Sequence, residues 1–129
     1  MSLNSNIGLA LLRIIPSALM LTHGFPKFQA LVNQNYDFPA PLSGIGMGGA
    51  FTLVIAVLAE FFAPILVIVG FKTRWASLLT AATMAVAGFI VHFSDPIKVK
   101  EKALLYLVIY VVIFLAGPGK YSLDKRNSA

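Results

Sequence analysis

A few ionisable side chains stand inside segments that are otherwise apolar enough to span a membrane. They are Arg13, His23 and Lys27 in the first segment, Glu60 near the middle of the second, and His92 at the end of the third. A charged side chain at bilayer depth costs roughly 3 kcal/mol or more, so such residues usually face the protein interior and pair with one another. We therefore expect these residues to mark the functional site.

Three of these residues form an outer group together with Glu101, near the start of the fourth segment. His23, Lys27, His92 and Glu101 are predicted to lie at similar depth near one membrane surface. Imidazoles and a carboxylate there could exchange protons or hydrogen-bond a quinone carbonyl near neutral pH. Two histidines from facing helices could also ligate haem, although we expect no haem here. The sequence leaves open the alternative that these side chains are simply solvated at the membrane interface.

Arg13 and Glu60 form a deeper group. On antiparallel neighbouring helices, the two would lie about 10 Å and about 15 Å from the same surface. The planar guanidinium holds a carboxylate bidentately and keeps its charge. The sequence thus predicts a buried Arg13–Glu60 ion pair, more readily an architectural clamp than a proton or ligand site.

Four elements must position these residues. The apolar segments cover residues 7–25, 45–69, 75–93 and 96–116, each close to the roughly 20 residues that a membrane-spanning helix needs. We predict an all-α fold, a single four-helix transmembrane bundle with short loops, a longer connection over 28–44 and a cytoplasmic tail over 117–129. Pro64, one turn after Glu60, should kink the second helix, and Thr73 can cap the third.

The composition supports a polytopic membrane protein. Of 129 residues, 58% are hydrophobic and 12% are charged, against about 25% charged in soluble domains. The net charge of +5 comes from cations at segment ends, with no basic run interleaved with aromatics, so we expect no nucleic-acid partner. The absence of cysteine excludes disulfides and cysteine-ligated iron–sulfur or zinc sites, and we expect no metal.

The charges bear on the retention of the first helix and on its orientation. Arg13 interrupts the apolar core that a cleaved signal peptide would need, so the first helix should be retained. The positive-inside rule favours, by a narrow margin, both termini in the cytoplasm. The expected location is the inner membrane, with the lipid bilayer as a partner; redox partner subunits and a homo-oligomer are left open.

The chain resembles the DoxX family of small four-helix membrane proteins over nearly its whole length. The resemblance lies in Arg13 followed by His23-Gly24-Phe25-Pro26-Lys27, in Glu60 before the 70–74 turn, in His92 and Glu101 before Tyr106, and in a GxGxxSxD-like tail over 117–124. It implies a subunit of a quinone-linked oxidoreductase that binds quinone noncovalently and carries no covalent cofactor. Whether the chain is itself an enzyme stays open.

Two other functions fit the same residues. A small proton-coupled exporter would use Glu60 as its coupling carboxylate, as a single buried acid in a small bundle permits. A close Arg13–Glu60 contact would count against transport, because a carboxylate held permanently by an arginine loads protons poorly. A membrane assembly factor without a ligand would show an interior packed without a cavity.

Overall fold

In the parts of the chain that the computed structural model describes, there are four helices and no strand. Those parts are residues 2–37, 48–91 and 94–124. The helices are α1 Leu3–Val32, α2 Gly49–Val69, α3 Thr73–Val91 and α4 Ile97–Ala116. The all-α four-helix bundle predicted from the apolar segments is confirmed.

Three of the helices are long and apolar enough to cross a membrane, namely α1, α2 and α3. The fourth, α4, has 20 residues, but its first turns carry Lys98, Lys100, Glu101 and Lys102. Its apolar stretch over 103–116 spans only about 21 Å, less than the roughly 30 Å of hydrocarbon. The beginning of α4 therefore suits the membrane surface rather than the hydrocarbon.

Helix α1 is longer than the predicted 7–25 and takes in the first part of the predicted 28–44 connection. It runs for 30 residues with Pro16 and Pro26 inside it. Tertiary contacts hold its last turns, since the Phe28 ring stacks on Phe61 with centroids 4.7 Å apart. Prolines are tolerated in membrane helices where neighbouring elements compensate for the lost bond. The rest of the predicted connection, residues 38–47, lies outside the described residues.

The helices pack as two pairs, α1 along α2 and α3 along α4, while α1 and α4 have the fewest contacts among neighbours. Small side chains, among them Ala59, Ala63 and Ala76, are buried between the helices and let the backbones approach closely. The hydroxyl of Thr80 donates to the Ala59 carbonyl at 2.6 Å. Large apolar side chains are exposed on the outside, as a lipid-facing surface requires.

Both α2 and α3 contain a widened π-helical turn. In α2 it covers Leu58–Phe62 and is followed at once by Pro64, which has no N–H to donate. In α3 it covers Ala87–Val91, at the end nearest to α4's first turns. The kink predicted at Pro64 is thus a local widening of the helix around Glu60. Single π-turns occur frequently at functional sites.

The first part of the predicted tail is bound to the bundle rather than free. This C-terminal segment, residues 117–124, turns at Gly117 (φ 83°) and Gly119 (φ 82°), which are left-handed conformations that glycine adopts easily. The Asp124 carboxylate then accepts the N–H groups of Lys72 and Thr73, both at 2.9 Å. Asp124, and not the predicted Thr73, therefore caps the start of α3.

Candidate functional site

Arg13 does not meet Glu60, and the predicted ion pair is wrong. The Arg13 guanidinium is 2% exposed and donates to three backbone carbonyls. Nη1 donates a hydrogen bond to the Pro118 carbonyl oxygen at 2.5 Å. Nη2 donates to the carbonyl oxygens of Tyr121 at 2.5 Å and Ile68 at 3.4 Å. Arg13 thus fastens the C-terminal segment to the inside of the bundle.

The wrong pairing has a geometric cause. An Arg13–Glu60 pair would require the start of α1 and the end of α2 to lie at one surface. Arg13 lies ten residues after Leu3, about 15 Å along α1, yet it is level with Ile68, next to the last residue of α2. The two helix ends are therefore offset, and Glu60 is level with a later part of α1.

Gly24 determines which part of α1 lies beside Glu60. A Cβ added to Gly24 would lie 2.1 Å from the Glu60 carbonyl oxygen and 2.8 Å from the Phe61 nitrogen, far inside van der Waals contact. Only glycine lets α1 approach the α2 backbone this closely. The approach places Glu60 beside Lys27, one turn further along α1.

Glu60 pairs with Lys27 instead. The Lys27 Nζ donates to Glu60 Oε1 at 2.5 Å, and Glu60 is 5% exposed while the Lys27 side chain keeps 29% of its surface. A buried carboxylate requires such a partner, because an unpaired charge would be costly to desolvate. Glu60 therefore lies with Lys27 of the predicted outer group, and not in a separate deeper group with Arg13.

The pair lines a small, partly open cavity between the helices, which we call the polar pocket. Its volume is about 220 Å³. Its polar lining residues are His23, Lys27, Glu60, Lys102 and Tyr106, and Met20, Met84, Ala87 and Ala103 complete the wall. With His23 neutral, two ammonium groups face one carboxylate, so the polar pocket favours a ligand oxygen that carries partial or full negative charge.

Two polar-pocket residues were missing from the predicted site. The Tyr106 ring packs edge-on against the His23 ring with centroids 6.1 Å apart. Lys102 precedes Tyr106 by four residues and so shares its face of α4. The hydroxyl of Tyr110, a turn further on, forms a hydrogen bond with the hydroxyl of Ser17 in α1 at 2.8 Å. This spacing of four was the available signal for an inward polar face on α4.

The other two predicted residues have different positions. Glu101 does not line the polar pocket, although it lines a neighbouring groove together with Lys102 and Tyr106. Glu101 and Tyr106 are five residues apart, or about 140° around the helix, which explains why only Tyr106 lines the polar pocket. His92 lies outside the described residues, so its place in the site stays a prediction.

Glu101 instead lines a second cavity, which we call the lateral groove. It has a volume of about 640 Å³ and lies between α1 and α4, the pair with the fewest contacts. Its apolar part is formed by Pro16, Leu19, Leu105 and Ile109, and its polar end by Lys98, Glu101, Lys102 and Tyr106. Because Lys102 and Tyr106 line both cavities, the polar pocket and the lateral groove adjoin.

Comparison with known proteins agrees with the resemblance. The family model of DoxX matches residues 8–93. An uncharacterized protein of Haemophilus influenzae is 32% identical over 126 residues, covering 92% of this chain and 89% of its own length. Inner membrane protein YqjF of Escherichia coli is 27% identical over 125 residues, which cover 93% of this chain and 92% of that protein. No solved structure matches the chain.

Proposed function

This chain belongs to the DoxX family of membrane proteins, and we propose that it binds a quinone in the polar pocket as an inner-membrane subunit of a redox system. One observation carries the proposal: a charged pocket around the buried Glu60 adjoins an apolar groove on the lipid-facing side, through the shared Lys102 and Tyr106. A quinone combines the same two parts, a polar ring and an apolar tail.

The polar pocket offers chemistry that suits a quinone ring. The ammonium groups of Lys27 and Lys102 and the Tyr106 hydroxyl can donate hydrogen bonds to the ring oxygens. Reduction of a quinone to a quinol takes two electrons and two protons. The electrons would come from a partner oxidoreductase, and His23 and Glu60 are groups able to pass protons.

The volumes of the two cavities suit different parts of a quinone. The polar pocket, at about 220 Å³, is smaller than the roughly 300–1,000 Å³ of sites that enclose a whole drug-sized ligand. It suits a single ring, whereas the lateral groove of about 640 Å³ can take an apolar chain along Leu19, Leu105 and Ile109. A hydrophilic solute would leave the apolar part of the groove unused.

Quinone binding to the purified full-length protein tests the proposal. We expect a short-tailed ubiquinone analogue to bind saturably, and His23→Ala or Tyr106→Phe to raise the Kd about fivefold, the loss of one hydrogen bond of about 1 kcal/mol. Tyr121→Phe is the matched control, because Tyr121 is exposed at the other end of the bundle. Unchanged binding in both His23→Ala and His92→Ala would contradict the proposal.

A proton-coupled exporter is the second candidate, because Glu60 is free of Arg13. Its partner Lys27 can release a proton, unlike an arginine, and Glu60 lies within a π-helical turn. Proton flux into liposomes that depends on an exported solute and is lost in Glu60→Gln would favour it. The ligand-free assembly factor is disfavoured by the polar pocket, since that function predicted an interior without a cavity.

A further inference from the structure

A third cavity lies at the opposite end of the bundle from the polar pocket. It has a volume of about 720 Å³, and we call it the basic cavity because Lys72, Arg74 and Lys120 line it together with Asp124 and Asn6. Asn6 precedes Lys27 by 21 residues along α1, which separates the two cavities by roughly 30 Å. The basic cavity is therefore independent of the proposed quinone site.

The carboxylate in the basic cavity is already engaged. Both Asp124 oxygens accept backbone N–H groups at the start of α3, from Lys72 and Thr73. Three cationic side chains minus one carboxylate leave two positive charges among the lining residues. Within the described part of the chain, Arg74 and Lys120 form no ion pair, so these charges lack an internal counter-ion.

Three contacts fix the backbone and side-chain positions around the cavity, and the ammonium groups of Lys72 and Lys120 lie near the Phe71 and Tyr121 rings. The Arg74 guanidinium lies over Gly117 at the end of α4, where an added Cβ would be 3.2 Å from Nη2. Lys72 sits in a left-handed conformation (φ 52°) in the turn between α2 and α3. The Lys120 amide donates to Asn6 Oδ1 at 3.4 Å, which ties the C-terminal segment to the start of α1.

An exposed tryptophan places the cavity at the membrane surface. Trp75 lines it and is 72% exposed, although its ring is large and apolar. Tryptophan is enriched where headgroups meet hydrocarbon. Lysine and arginine beside such a residue face the layer in which lipid phosphates lie.

We propose that the basic cavity binds a phosphate-type anion through Lys72, Arg74 and Lys120. The ligand is the phosphodiester of an acidic phospholipid or a free phosphate, and both present oxygens that ammonium and guanidinium groups bind with charge-assisted hydrogen bonds. Asp124 occupies the backbone donors of α3, so the side chains alone make the contacts.

The chain's single tryptophan provides a local readout. The full-length protein in neutral detergent is titrated with dioctanoyl phosphatidylglycerol, with dioctanoyl phosphatidylcholine and with inorganic phosphate, and Trp75 fluorescence is followed. We expect a saturable change with phosphatidylglycerol or phosphate, and a Kd about fivefold higher in Lys120→Gln, the effect of one cation near a phosphate. Lys72→Asn should act likewise, because asparagine tolerates the left-handed conformation.

Lys98→Gln is the matched control, since it removes the same charge from the other end of the bundle. Saturation by phosphatidylglycerol alone identifies a lipid ligand, and saturation by inorganic phosphate identifies a soluble one; both support the proposal. It is overturned if neither probe gives a saturable change, or if Lys120→Gln and Lys98→Gln change the Kd equally.

Discussion

At the residue scale, one glycine decides which charges meet. Gly24 lets α1 touch the α2 backbone at Glu60, and that contact sets the register that brings Lys27 to the carboxylate. A larger side chain would push the helices apart where the charge is most buried. The His23-Gly24 pair therefore contributes both a pocket residue and the contact that aligns it.

Replacing Gly24 should destabilise the bundle. In Gly24→Ala the new Cβ meets backbone atoms that cannot rotate away, so we expect a loss of about 1–3 kcal/mol, typical of overpacking. Gly8→Ala is the matched control, because nothing lies within 4 Å of its added Cβ and alanine favours helix. Unfolding in detergent, followed by circular dichroism, measures both; equal stability of the two variants would contradict the register argument.

Removing Lys27 should leave a buried, unpaired Glu60. We expect Lys27→Met to lower the free energy of unfolding by about 3 kcal/mol, as when one partner of a buried pair is removed. Lys27→Met combined with Glu60→Gln should recover much of the loss, because no charge then stays buried. A double-mutant cycle measures the coupling between the two side chains, and strictly additive effects would show that they do not interact.

At the element scale, the C-terminal segment is part of the bundle because Arg13 and Asp124 hold it. We expect Arg13→Met to release it, since the Pro118 and Tyr121 carbonyls lose their buried donor. Trypsin cleavage after Lys120, followed by mass spectrometry, should become faster. Leu11→Met, an exposed position on the same helix, should leave the cleavage rate unchanged; equal rates in all three proteins would contradict this role of Arg13.

The Asp124 cap should fail only in acid. Burial alone would raise the pKa of Asp124, but the hydrogen bonds from Thr73 and Lys72 and the Lys72 charge together lower it below its ordinary value of 3.8. Because the pKa of Asp124 is lower in the folded state, its stabilisation is complete at pH values above the pKa of the unfolded state. The stabilisation is lost as the pH falls through the pKa of the folded state. Trp75 fluorescence should show a transition below pH 3.8 that Asp124→Asn abolishes, and a transition at higher pH would contradict the cap.

The sequence predicts the elements better than their pairing. Four apolar runs are enough to predict four helices, because each must satisfy its backbone inside lipid. The register between helices depends on one contact at Gly24, and the cap of α3 comes from Asp124, whose sequence position is remote. Neither the register between the helices nor the identity of this cap can be predicted from the spacing of residues within one segment. Arg13 binds backbone carbonyls of the C-terminal segment in place of the predicted Glu60.

At the scale of the whole molecule, the bundle is least closed between α1 and α4, and the lateral groove lies there. If the quinone tail lies in the lateral groove, a bulky side chain placed there should weaken the binding of long-tailed quinones only. We expect Leu19→Trp to weaken binding of a long-tailed quinone about tenfold while a tailless quinone binds as before, the tenfold loss corresponding to about 1.4 kcal/mol. Leu115→Trp, at an outward position that is 70% exposed, is the control; equal effects on both quinones would contradict the division.

The most direct test of the central claim is photolabelling of the full-length protein in membranes with an azido-quinone, with labelled peptides identified by mass spectrometry. We predict labels within residues 16–27 and 98–109, suppressed by excess unlabelled quinone and reduced in His23→Ala. Labels spread over the outward faces of α2 and α3, without competition by quinone, would contradict a quinone site in the polar pocket.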